Sequence, residues 1–270
     1  MKEDDFYVGW SGEAPKSYAS KGKLFVFSSI LVMLVAGLLY VTNQEDYIDS
    51  LYEYGVLQEV SGYLVQDPVW GLRVEDDGMI KTIPLVGFGK MGPGPTLSKM
   101  METHDLGEGT MVTLRGMLAH YQGKYLMELT EGENSLVSEG NREMLDRKIE
   151  MKGSKTLEGE IVDPKCFFGV MNPAFKAAHR SCAIRCISGG MPPLLAIREN
   201  GEFVDYYFVH GREMQAINEE VLPFVGVPVK LSGQVATYDD WKSIVVDPSD
   251  LQISVVERDI NTPLAVAMCN

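Results

Sequence analysis

The chain is predicted to be mainly β with short helices: one N-terminal transmembrane helix followed by two tandem small barrels. Three observations predict this. Residues 24–41 (LFVFSSILVMLVAGLLYV) form a run of eighteen without charge, enough at ~1.5 Å per residue to cross most of a ~30 Å hydrocarbon layer. The remainder carries a weak internal repeat. Within each copy, short alternating apolar runs bounded by turn residues read as strands. The overall 45% hydrophobic and 9% aromatic content is that of a folding chain.

The head, residues 1–23, has Gly, Pro and Ser spread through it and reads as extended. Its Phe6–Trp10 cluster suits interfacial anchoring or docking on a partner membrane protein. Lys16, Lys21 and Lys23 flank the apolar run on this side, and the next basic residue is Arg73. By the positive-inside rule the head stays cytoplasmic and the rest is exported, a single-pass topology in the inner (plasma) membrane. No small-x-small cleavage site follows the run, so it reads as an anchor. The exported part, periplasmic in a bacterium, meets an oxidising compartment, where cysteines are paired or metal-bound.

Residues 42–56 form an acidic spacer with Tyr47, Leu51 and Tyr54 at helical spacing. The first domain follows at 57–131, a polar linker with a turn or two of helix around 141–150 at 132–155, the second domain at 156–256, and a tail at 257–270. Gly62-Tyr-Leu-Val-Gln-Asp-Pro matches Gly159-Glu-Ile-Val-Asp-Pro at a separation of 97. Val112, Leu114, Gly116, Ala119 and Tyr121 recur at Val229, Leu231, Gly233, Ala236 and Tyr238, a separation of 117. The second copy therefore holds an insertion of about twenty residues, with Val69-Trp70 near the place of Cys166-Phe167. Each copy reads strand, strand, strand, helix, strand, strand, the order of the oligonucleotide/oligosaccharide-binding (OB) barrel. In the first copy the helix is 97–104, with Thr96 as its cap. In the second, strands 156–162, 193–198 and 203–209, a helical 212–222, strands 227–238 and 241–246 and an edge at 251–256 are predicted, with a hairpin signal at 199–202.

The insertion holds Cys166, His179, Cys182 and Cys186. It reads as a helix with Asn172 as N-cap, Pro173 at the first position and Gly189-Gly190 as its stop. His179, Cys182 and Cys186 then stand at i, i+3 and i+7, one face. Three thiolates and an imidazole are a complete set for zinc, and the sulfurs also suit Cu(I). A structural disulfide from Cys166 to Cys182 or Cys186, with the remaining cysteine free or paired to Cys269, stands beside that reading, as do redox-active thiols. No acidic residue occurs between Asp163 and Glu199, so Lys176, Arg180 and Arg185 offer a basic docking patch if His179 faces solvent.

The stretch Val162-Asp-Pro-Lys-Cys166, His179-Arg-Ser-Cys182-Ala and Cys186-Ile-Ser-Gly-Gly-Met-Pro-Pro193 resembles a pattern in bacterial membrane-anchored or exported small β-barrel proteins. The resemblance covers about residues 157–254 and implies an OB-like fold and a Cys/His site, with no activity attached. His104, His120 and His210 read as ordinary surface or turn residues. Asp239, Asp240, Asp247 and Asp250 read as solvated turn carboxylates. A net charge of −14 and export oppose nucleic-acid binding, and no nucleophile–base constellation marks an enzyme. The sequence thus points to a membrane-anchored accessory or interaction module, or to a metal- or electron-handling component of a membrane respiratory-type complex.

Overall fold

The computed structural model describes residues 14–42, 48–199, 202–247 and 253–255. Two compact units divide it, one holding the N-terminal helix and the other running from Tyr47 to Asp259.

Helix α1 (Lys16–Thr42) contains a 25-residue span, Tyr18–Thr42, long and apolar enough to cross a membrane, near the N-terminus as in an anchor or a signal sequence. It begins earlier than predicted: residues 16–23 are helical rather than extended. Pro15 explains the start, because its carbonyl accepts the amides of Tyr18 and Ala19 at 3.0 and 2.8 Å, and proline suits a helix entry. The Phe6–Trp10 cluster lies outside the described residues.

In the second unit, β2 (Gln58–Val65), β3 (Gly71–Asp76), β4 (Met79–Gly87), β5 (Thr110–Tyr121) and β6 (Lys124–Leu129) pair in the order β5-β2-β3-β4-β6. Pairing of β5 with β6 closes a five-stranded barrel. Helix α2 (Gly94–Thr103) joins β4 to β5. Thr96 is not its cap. The helix starts at Gly94, three residues earlier than predicted, after Pro93 and with no side-chain cap, because a proline in the first turn has no amide to satisfy. Before the barrel, β1 (Leu51–Tyr52) pairs with β5 at His120 and Ala119, so Leu51, expected on a helical face of the spacer, lies on a short edge strand instead; Tyr47 lies outside the described residues.

Within 132–155, β7 (Leu136–Arg142) returns to β5 and β8 (Glu150–Val162) begins the next sheet. The turns of helix expected around 141–150 do not form. Then β9 (Leu194–Glu199), β10 (Glu202–His210), β11 (Pro228–Tyr238) and β12 (Trp241–Val245) follow, and the pairings β8-β9-β10-β12-β11-β8 make a second, ring-like sheet of the same order. An edge strand, β13 (Ile253–Val255), lies on β11. The helical stretch predicted at 212–222 is broken into single turns, of which α4 (Asn218–Val221) is the helical one, because Glu213 and Met214 take positive φ. The repeat's glycines are register-equivalent. A Cβ on Gly116 would lie 2.3 Å from the Glu128 carbonyl, and one on Gly233 2.6 Å from that of Val245; both sit where the long strand meets the strand that closes its ring.

One core runs between the two rings. Val69, Ala119, Tyr121 and Leu126 of the first pack with Phe167, Phe168, Phe203, Tyr206, Phe208 and Trp241 of the second. Phe167 lies edge-on to both Tyr121 and Phe203, at 5.4 and 4.9 Å between ring centroids. Beside this core, the turn between β11 and β12 docks into the first barrel. Asp239 accepts from Arg73 Nε and Arg147 Nε, each at 3.2 Å, and from Thr82 Oγ1 at 2.6 Å. Asp240 accepts from the Thr82 amide at 2.9 Å and from Lys124 Nζ at 3.0 Å. These are therefore not solvated turn carboxylates. Neighbouring hydrophobic faces bring the turn against the first barrel, where cations await it. Asp247 pairs with Arg212 near the surface, and Asp250 lies outside the described residues.

Candidate metal centre

The insertion lies between β8 and β9, where the first barrel has only residues 66–70 between β2 and β3. It opens at Asp163, fully buried. Its Oδ1 accepts the Lys165 amide at 3.0 Å and its carbonyl the Phe167 amide at 3.0 Å, which folds Cys166–Val170 into one wide helical turn. Cys166 is thus carried on this turn and not on the strand before it. Lys165 points the other way, into the first barrel. There its buried ammonium donates to the carbonyls of Gly87 (3.0 Å) and Gly89 (2.9 Å) and to the buried Glu128, which also accepts from Tyr52.

Helix α3 (Lys176–Ser188) starts later than Asn172 and Pro173 predict. Phe175 is its N-cap residue, and the Lys176 amide is taken by the carboxylate of Glu160 on β8. A tertiary acceptor at the positive end of the helix replaces the local cap. Its C-terminus is Gly189, as predicted. That glycine does a second job, since a Cβ there would lie 2.1 Å from the Lys90 carbonyl, and one on Gly92 2.2 Å from that of Gly190. The amide of Gly92 donates to Gly189 O at 2.9 Å. Backbone thus meets backbone, and the loop after β4 is held over the end of α3.

The helix brings His179 and Cys182 to Cys166. One ligand atom from each lies within 4.8 Å of the other two, with Cys166 and His179 buried and Cys182 half-buried. Tetrahedral zinc, with sulfur at ~2.3 Å and nitrogen at ~2.0 Å, keeps its ligand atoms roughly 3.5–3.8 Å apart. The separations within 4.8 Å are near that spacing, so the group could hold a metal ion. Cys186 is buried beside Cys166, and the contact between the two thiols, with burial and Asp163 adding to it, pushes the Cys166 thiol up. It does not join the converging group. Among the described residues no disulfide forms: Cys166, Cys182 and Cys186 are free thiols, and Cys269 lies outside them.

Two polar atoms of this site are buried without a hydrogen-bond partner, His179 Nε2 and Asp163 Oδ2. Each costs roughly 1–3 kcal/mol if it stays so. Burial lowers the His179 pKa, and Lys90 adds to this while Asp163 opposes it. A neutral imidazole is the metal-binding form. Lys90, from the loop after β4, donates to Cys182 Sγ at 2.8 Å. That contact, with the charges of Cys182, Cys186 and Cys166, raises the Lys90 pKa against the lowering effect of burial.

The basic patch does not assemble, because His179 is turned inward. Lys176 is buried with its ammonium over Phe175, and Arg180 is half-buried and donates to Pro223 O at 3.1 Å; Arg185 is exposed. His104 pairs with Glu139 and His120 with Glu53. His210 is not a surface residue: it is buried on β10 beside Ser243, at 3.1 Å. No protein-family model matches the chain, and no curated protein matches it. Sequence reasoning missed Lys90, Asp163 and Lys165. For Asp163 and Lys165 a signal existed in their place directly before Cys166; for Lys90 there was none.

Proposed function

We propose that this chain is a membrane-anchored extracytoplasmic accessory module, two OB-like barrels in tandem, whose Cys166, His179 and Cys182 hold a soft metal ion, zinc or Cu(I). The observation that carries the reading is the convergence of ligand atoms from Cys166, His179 and Cys182 within 4.8 Å of one another, with His179 Nε2 buried and without a hydrogen-bond partner. Native proteins rarely leave such an atom unpaired, and a cation held by the two sulfurs and the imidazole would give His179 its partner, with Asp163 outside the converging group. The metal would tie the inserted helix to the turn that leaves β8, with Cys186 and Asp163 as outer partners. The shared strand order of the two rings supports the OB reading. The lysines before the span support export, and a membrane complex is the natural partner for a single-pass module.

Metal content and free-thiol count of the full chain in detergent, with and without chelator and reductant, test this. About one bound metal per chain, with thiols that become titratable on chelation, is the expected result. Titratable thiols with no metal would overturn it. A second reading, a thiol-redox pair, draws on the contact between Cys166 and Cys186; it requires oxidation to consume those two thiols in the metal-free protein. Labelling of a cysteine placed near Asp46 tests the topology, and export requires that it react from outside intact spheroplasts.

A further inference from the structure

We propose that Lys90 is a specificity-determining residue of this centre, biasing it toward a monovalent soft ion, Cu(I), and against divalent zinc. The inference rests on the metal reading above and goes further, to which ion the site takes.

The backbone that places Lys90 beside the site is fixed. The lysine's Nζ lies 2.8 Å from Cys182 Sγ. The backbone that carries it is held on both sides, by Lys165 on the carbonyls of Gly87 and Gly89 and by Gly189 O on the Gly92 amide. The loop cannot withdraw without breaking these bonds, so only the side chain can swing. The opposing charge is Asp163, whose influence reaches Cys166 and His179.

A metal bonded to Cys182 at ~2.3 Å would lie roughly 4 Å from the ammonium. Repulsion between them scales with the metal's charge, so it is twice as large for Zn(II) as for Cu(I). At a surface-like effective dielectric the extra unit charge corresponds to roughly a thousandfold in affinity. Lys90 is exposed to solvent, and screening with side-chain motion cuts this to on the order of tenfold. The ligand set points the same way. Thiolates favour Cu(I), whereas structural zinc takes four ligands and three donors converge here.

The test is competition titration of the full chain in non-ionic detergent, anaerobic and reduced, against chromophoric chelators of Cu(I) and of Zn(II). Wild type, Lys90→Met, Lys90→Arg and Asp163→Asn are compared. Lys90→Met should raise zinc affinity about tenfold more than Cu(I) affinity. Lys90→Arg should keep the wild-type ratio, and Asp163→Asn should move it toward Cu(I). A ratio unchanged within about twofold in Lys90→Met, or equal gains for both ions, overturns the inference while leaving the metal site standing. Wild type that binds neither ion overturns both.

Discussion

Lys90 Nζ and Cys182 Sγ lie 2.8 Å apart although 92 residues separate them in the chain. One belongs to the first barrel and the other to the helix inserted in the second. The cluster is therefore flanked from across the repeat, by a lysine that the docking of the two rings brings to it.

On the proposed metal reading, Cys186 is an outer partner, since it stands outside the converging group. Cys182→Ser or Cys166→Ser should lower metal affinity by more than about a hundredfold, and Cys186→Ser by less, between about ten- and a hundredfold, the scale of an outer-sphere change. Competition titration decides it. An equal loss in Cys186→Ser would restore a four-ligand Cys/His set.

Asp239 is the buried counter-charge of the ring interface, its side chain only 5% exposed against Arg73 and Arg147 at 14% and 9%. Asp239→Ala leaves two guanidiniums without their carboxylate, and should cost roughly 3–5 kcal/mol. The urea midpoint should fall accordingly. A loss under about 1 kcal/mol, as for an exposed pair, would mean that the interface does not depend on this contact.

Close backbone approach at Gly92 leaves no room for a methyl group, while Gly94 has nothing within 4 Å of an added Cβ. Gly92→Ala should destabilise the unit by roughly 1–3 kcal/mol and weaken metal binding by shifting the loop that carries Lys90. Gly94→Ala should be neutral or slightly stabilising. Thermal melts of the two variants side by side make the comparison, and equal melting temperatures would refute the close contact.

Burial pushes the His210 pKa down to about 4, partly offset by a hydrogen bond with the Pro68 backbone. Since the unfolded imidazole titrates near ~6.5, the unfolded state binds the extra proton between those values. Stability should therefore be full above about pH 6.5, fall as pH drops toward about 4, and lose roughly 3 kcal/mol from this group. His210→Gln should flatten that part of the profile in urea unfolding at pH 7 and pH 4.5. An unchanged pH dependence would place the acid sensitivity elsewhere.

Near-neighbour chemistry makes much of this molecule legible in its sequence. An uncharged run long enough to cross a membrane, period-two strands, the glycines of the repeat and the common face of His179, Cys182 and Cys186 all follow from spacing along the chain, because backbone geometry converts spacing directly into direction. Where a helix begins was less legible. Glu160, a strand residue, caps α3 in place of Asn172, and a local rule cannot see an acceptor supplied by tertiary contact.

The contacts that make the site depend on docking one ring against the other. Asp239 meets Arg73 across 166 residues, and Lys165 crosses into the first barrel to hold the loop that delivers Lys90. In the sequence these are charged residues like many others, and a solvated surface is the ordinary place for them. Burial of the aromatic core between the rings brings them together, and a buried charge must then find its partner there. That is why the tertiary structure alone decided which cysteines converge, which charges face them and which carboxylates left the solvent.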